Sequence, residues 1–263
     1  MTNALKNNVF FLKGILTSII TIFWIASFII IPKQSFAESF SKDEDSKQYE
    51  EALSLRKKGN YSEAVDIFQQ LSGYKDADKL YIKTFKELLR RSALGDTIKF
   101  GSIKDLDLLW FVVDKNKDSV LLLCKNYFEN KYDSNSDSSS WEDCDLRKFL
   151  NSDFYNMVFN DLQKSCISET LTDKVNLLVI NTKAKDRVFC LCQRDIEKYK
   201  ILEEKILNNQ DQFWLRVPFN DHSINNNSYG NVRFAKYYYN KSITNRSQSS
   251  SGNVRAAIRV SIK

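Results

Sequence analysis

The chain has 263 residues, 39 basic and 33 acidic, for a net charge of +6, and its hydrophobic content is an ordinary 43%. That length suits one good-sized domain plus an appendage. Seven Gly and two Pro exclude collagen-like and Pro-rich linker architectures, and the basic residues are scattered without an Arg-rich run, which argues against nucleic acid as a partner.

The N-terminus reads as an address. Lys6 and Lys13 precede a run from Ile15 to Ile31 with no charge, then come Pro32 and Ser35-Phe36-Ala37. Small residues at 35 and 37 fit a signal-peptidase site with cleavage before Glu38. The run also approaches the roughly 17–25 residues that span a bilayer, so an uncleaved anchor is the other reading. In both, the Lys-bearing flank stays inside and the remainder is exported. The expected location is therefore extracellular or at the cell surface, with the membrane touched only through residues 1–37.

Residues 39–46 are polar and suit a flexible spacer. Helical periodicity follows, with Tyr49, Ala52 and Leu53 on one face, Gly59-Asn60 as a break, and Ala64, Val65, Ile67, Phe68 and Leu71 on the inner face of the next helix. A third helix carries Leu80, Tyr81, Phe85, Leu88 and Leu89. Gly59-x-Tyr61-x-x-Ala64-x-x-x-Phe68-x-x-Leu71 resembles the second half of a tetratricopeptide repeat. One such unit is too few for a free-standing solenoid, which needs at least ~3 repeats. Residues 38–94 are read as an all-α neck.

A globular domain is expected over residues 95–263. Short strands are predicted at 97–100, 108–114 and 120–125, the last two forming a hairpin covered on both faces. In residues 141–159, Ser139 or Ser140 is expected to cap a helix with Leu146, Phe149 and Leu150 on its apolar face. Asn151-Ser152 is expected to stop it and a second short helix to follow. Further strands are predicted at 186–192, 213–217, 232–239 and 254–262, with an Asn-rich loop over 219–230 and a Ser/Asn/Gln loop over 245–253.

An ordered set of motifs spans this domain: Gly95-Asp96-Thr97-Ile98-x-Phe100-Gly101, Trp110-x-Val112-Val113-Asp114, and Trp141-Glu142-x-Cys144-x-Leu146-Arg147-x-Phe149-Leu150-Asn151. Trp214-Leu215-Arg216 and Asn253-Val254-Arg255-x-Ala257 complete it. The set resembles the DUF6273 family of extracellular domains found mainly in clostridia and related Firmicutes. The closing motifs are more loosely similar to the group that contains C-type-lectin-like domains and the formylglycine-generating enzyme. The resemblance implies an α+β, C-type-lectin-like domain of short helices on a small twisted antiparallel sheet. Trp141, Arg147, Asn151 and Arg255 are its structural motif residues.

No catalytic set emerges. His222 is the only His, so neither a nucleophile–base pair nor a multi-His metal site can be assembled. Cys124, Cys144, Cys166, Cys190 and Cys192 lack CxxC spacing and read as small core residues, with Cys190 and Cys192 on one face of a strand. No Cys lies in 252–263, which argues against the oxidase chemistry of the formylglycine-generating group. Asp133-x-Asn135-x-Asp137 has the alternating oxygens of a calcium loop, but Ser138 and Cys144 replace its Gly and Glu. Otherwise no cofactor is expected.

Arg147, Arg216 and Arg255, each beside apolar anchors, are read as holding loop carbonyls or acids, with anionic-ligand contact as the alternative. Aromatic rings stack on sugar faces and amides bind hydroxyls. The candidate ligand contacts are accordingly Trp214, Arg216, Asn220, Asp221, Tyr229, Arg233 and Tyr237. The expected function is a non-catalytic exported binding module for a cell-wall glycan, another surface polymer or a protein. An envelope-acting enzyme using Glu142 and Asp143, or a scaffold working through the helical neck, are the alternatives.

Overall fold

A computed structural model describes residues 31–134, 141–172, 184–208, 211–218, 231–236, 242–247 and 250–263. The apolar run from Ile15 therefore lies almost wholly outside the described residues. No described helix is long and apolar enough to cross a membrane. The chain divides into two compact units, with the break between Tyr81 and Ile82.

The described residues of the first unit are helical or in turns between helices. Helix α1 (Ile31–Lys58) and helix α2 (Tyr61–Gln70) are joined at Gly59, whose φ of +88° needs the freedom of glycine. Helix α3 (Ala77–Arg91) starts in this unit and ends in the next. Ala52 and Ala64 are fully buried and let the helices approach, and Phe68 fills the space against Tyr49 edge to face at 6.1 Å. The Tyr49 hydroxyl donates to the Asp76 carboxylate. The flexible spacer expected over 39–46 is instead part of α1. Its Glu, Asp and Lys residues are compatible with a helix, and no Gly or Pro interrupts the run.

The second unit is α+β. Its main sheet is antiparallel and contains β1 (Thr97–Ile103), β2 (Leu106–Lys115) and β3 (Ser119–Cys124). The remaining strands follow in chain order: β4 (Phe128–Lys131), β5 (Ile167–Ser168), β6 (Thr170–Leu171), β7 (Lys185–Asp186) and β8 (Val188–Phe189). The last are β9 (Gln212–Pro218), β10 (Asn231–Lys236), β11 (Ser242–Ser247), β12 (Ser251–Val254) and β13 (Ala257–Ser261). The sheet order is β1-β2-β3-β13-β5, with β8 also on β13. Smaller sheets are β11-β10-β9, β12-β4 and β6-β7. β3 is buried on both faces from Val120 onward, and Trp110 on β2 is fully enclosed, its indole N–H donating to Phe100 O at 2.6 Å. The second half of α3 packs on this sheet through Phe85, which stacks on Phe100 at 4.6 Å.

Two local expectations change. The helix after Trp141 is capped by Cys144, whose sulfur accepts from Arg147 N; Ser139 and Ser140 lie outside the described residues. Nor does the helix stop at Asn151. Helix α4 (Asp145–Phe149) runs through a π-helical turn (Leu150–Phe154) directly into α5 (Tyr155–Val158). The wider turn lets Leu150 and Phe154 both reach the core and frees the Asn151 amide for other partners. The strand expected over 186–192 ends at Phe189. Cys192 instead precedes helix α7 (Gln193–Lys198), which follows α6 (Asp161–Cys166) in the chain.

Candidate functional site

One buried carboxylate organises the helical motif. Asp186, at the end of β7, is 0% exposed. Its Oδ2 accepts from Trp141 Nε1 at 2.8 Å and Thr172 Oγ1 at 2.6 Å, and its Oδ1 from Arg147 Nε at 2.6 Å and Asn151 Nδ2 at 3.4 Å. Helical periodicity sets three of these partners in place, because Arg147 and Asn151 are one turn apart and Trp141 precedes the helix by one turn. The Asn151 side chain also closes the backbone on the other side. Its oxygen accepts from Arg187 N (2.8 Å) and Val188 N (3.2 Å), and its nitrogen donates to Val188 O (2.8 Å).

A second polar group continues the first. Arg216 on β9 donates from Nε to Thr172 O at 2.9 Å, and from Nη1 to Cys190 O at 2.8 Å and Asp195 Oδ2 at 2.6 Å. Thr172 therefore links the two groups, its hydroxyl on Asp186 and its carbonyl on Arg216. Tyr132 joins from a third side, its hydroxyl donating to Arg216 O at 3.0 Å. The result is a continuous lattice, Arg147–Asp186–Thr172–Arg216–Asp195, buried at its centre and half-buried at its two ends. Such charges are tolerated inside only when paired and hydrogen-bonded.

A third arginine is held separately. Arg255 is 2% exposed and donates from Nε to Cys124 O at 2.8 Å and from Nη1 to Asp211 Oδ2 at 3.4 Å. Its guanidinium lies 5.1 Å from the Tyr127 ring centre, 5.6 Å from Phe111 and 5.9 Å from Phe213. The Tyr127 hydroxyl also donates to Asp211. This aromatic cage is filled by the chain's own cation.

A family model described as "Domain of unknown function (DUF6273)" matches residues 117–262. The chain belongs to the DUF6273 family. No curated protein and no solved structure matches it.

The sequence reading put Trp214 and Arg216 among the ligand contacts of the DUF6273 domain; both are interior side chains instead. Phe213, Trp214 and Leu215 are all 0% exposed, so β9 is covered on both faces. The Trp214 indole N–H is bound to Asn130 O at 3.0 Å. Arg233 takes its place on β10, opposite Asn245 of β11. Asn220, Asp221, Tyr229 and Tyr237 lie outside the described residues, as does His222. Of the calcium-loop pattern only Asp133 is described, and it is buried; Asn135 and Asp137 lie outside. Among the described residues no group of three or more His, Cys, Asp or Glu side chains is placed to hold a metal ion. Glu142 and Asp143 are exposed, and the Glu142 carbonyl accepts from Arg147 Nη1 at 2.9 Å.

All five cysteines are buried free thiols. Burial pushes Cys124 and Cys192 up to about 11 and Cys144 up to about 12. It raises Cys166 and Cys190 as well. These are poor nucleophiles, since the thiolate is the reactive form.

The lattice also holds described residues that flank three stretches outside the described residues. Residues 135–140 run from beside Tyr132 to Trp141. Residues 173–183 run from Thr172 to Ala184, where Thr172 N donates to Ala184 O at 3.3 Å. Residues 219–230 follow Pro218, two positions beyond Arg216. Sequence reasoning missed Asp186, Thr172, Asp195 and Asp211. Half-buried arginines signal that acids must exist, but nothing in the spacing says which.

Proposed function

We propose that the DUF6273 domain is a non-catalytic binding module of an exported protein, acting at the cell surface. Its ligand in this reading is a cell-wall glycan, another surface polymer or a surface protein. The contacts are Asn220, Asp221, Tyr229, Arg233 and Tyr237, a mixture of rings and polar side chains suited to sugar faces and hydroxyls. The observation that carries the proposal is the joint anchoring of three segment bases in one polar lattice. Binding residues concentrate on connecting segments held by a rigid scaffold. The buried, unreactive thiols and the enclosure of Trp214 and Arg216 favour scaffold over chemistry for the core motifs.

Export rests on the run from Ile15 and the small residues Ser35 and Ala37. In finer detail, we read the α+β domain as C-type-lectin-like, the segment 38–94 as a tetratricopeptide-like neck, and the source as clostridia or related Firmicutes. These rest on the motif resemblance, and fold likeness alone would not carry function.

The test is retention of purified residues 38–263 on isolated Gram-positive cell walls, with and without EDTA. Saturable retention supports the module. Loss of retention in EDTA makes a divalent metal part of the binding and turns the search to the Asp133-x-Asn135-x-Asp137 pattern. Absence of retention overturns the wall-polymer reading, and release of soluble wall fragments replaces it with the envelope enzyme.

A further inference from the structure

The charge of the chain is not evenly shared. Residues 1–81 hold ten basic and ten acidic side chains, so the whole net charge of +6 belongs to residues 82–263. Much of that excess sits on one face. The part of α3 within this unit has Lys83, Lys86, Arg90 and Arg91 against a single acid, Glu87. Lys83, Lys86 and Arg90 follow i, i+3, i+7 spacing and form one stripe. The β2–β3 turn adds Lys115 and Lys117 beside the same helix, because Lys115 Nζ donates to Arg90 O at 2.9 Å and Ser92 O at 2.7 Å.

What these cations touch leaves their charge in place. Arg90 donates to Ile262 O and Lys115 to the two helix-end carbonyls, all neutral acceptors, and Lys86 donates to Lys263 O. Among the described residues, the ion pairs that acids make around this face are these. Glu87 lies 2.7 Å from Arg91 and 3.5 Å from Arg90, Asp118 lies 3.5 Å from Lys263, and Asp114 lies 3.4 Å from Arg259. Lys83, Arg90, Arg91, Lys115 and Lys117 are exposed. A face with excess cations, fixed in position by backbone carbonyls, concentrates polyanions by field and by counterion release.

We propose that this face binds a phosphate-bearing linear polymer. The proposal uses none of the residues named for wall binding, so its failure leaves the wall-retention reading standing. The experiment measures binding of the full chain to inorganic polyphosphate across a salt series, with phosphatidylglycerol vesicles as a second arm. Binding that weakens with salt is expected. The variant Lys83→Gln/Arg91→Gln/Lys117→Gln should bind about tenfold more weakly and lower the salt slope by about two, as loss of three phosphate contacts requires. These are exposed side chains, and an unchanged urea midpoint confirms that the variant is folded. The control variant Lys47→Gln/Lys57→Gln/Lys58→Gln on α1 should bind as the parent does. No binding at about 50 mM salt, equal loss in the control, no loss in the α3 variant, or preference for vesicles would each overturn the proposal.

Discussion

Asp186 is the residue on which most depends. Four donors from two stretches of the chain, 141–151 and Thr172, meet its two oxygens, and one of them is the Arg147 guanidinium. Asp186→Ala leaves that cation partly buried with no counter-charge and orphans the Trp141 and Thr172 donors. Breaking one side of a buried pair costs about 3–5 kcal/mol. Urea unfolding should show a loss of that size, whereas Glu142→Gln, at an exposed position, should change stability by less than about 0.5 kcal/mol. The thiols give a second residue-scale prediction. Their ordinary value is 9.0, and burial holds Cys124, Cys144 and Cys192 at about 11 to 12. Above pH 9 the unfolded chain therefore releases thiol protons that the folded chain keeps. The stabilising contribution is complete below pH 9 and is lost as pH rises through 11 to 12. The urea midpoint should fall over that window, and Cys144→Ala should flatten the fall.

At the scale of elements, the strands were legible where their own side chains are buried. The predicted 108–114 and 120–125 became Leu106–Lys115 and Ser119–Cys124 because Trp110, Val112 and Leu122 alternate into the core. The loop expected over 245–253 takes in the second half of β11 and all but the last residue of β12. Ser242–Ser247 and Ser251–Val254 are polar stretches that become strands by pairing with β10 and β4, information that resides in their partners. The π turn at Leu150–Phe154 was read as a helix stop because Asn-Ser-Asp is a cap signal; burial of Leu150 and Phe154 and the bonds of Asn151 to 187–188 outweigh it. Asp186 itself was invisible, since its partners lie 14 to 45 positions away. Two tight spots give predictions. Gly101, at φ +77°, would place a Cβ 2.6 Å from Val158 Cγ1 and 2.9 Å from Phe159 Cε1. Gly101→Ala should cost about 1–3 kcal/mol through that overlap, with backbone strain added. At the β1–β2 turn, Lys104 and Asp105 both have positive φ, 47° and 65°. Lys104→Asn/Asp105→Gly supplies the residues such a turn favours, and should raise the melting midpoint by removing about 1–2 kcal/mol of strain.

At the scale of the molecule, the match to residues 117–262 and the compact unit Ile82–Lys263 do not coincide. The difference has physical content. β3 has two neighbours, β2 and β13, with Phe111 and Ala257 both paired to Leu123. Cutting the chain before residue 117 removes β1 and β2 and opens the edge of a strand whose side chains are buried on both faces. It also removes Phe111 from around Arg255, and deletes Ile98, Phe100, Leu108, Trp110, Val112 and Val113, all buried. At about 1.5–3 kcal/mol for each large apolar side chain, the loss is on the order of 10 kcal/mol. A domain of this kind holds about 5–15 kcal/mol in total. A fragment 117–263 should therefore fail to unfold cooperatively in urea and should bind a dye for exposed apolar surface. A fragment 82–263 retains β1, β2 and the Phe85–Phe100 stack, and should show a single transition with sharp tertiary signals. A cooperative 117–263 fragment would mean that the β1–β2 hairpin is an accessory to the fold rather than half of its sheet.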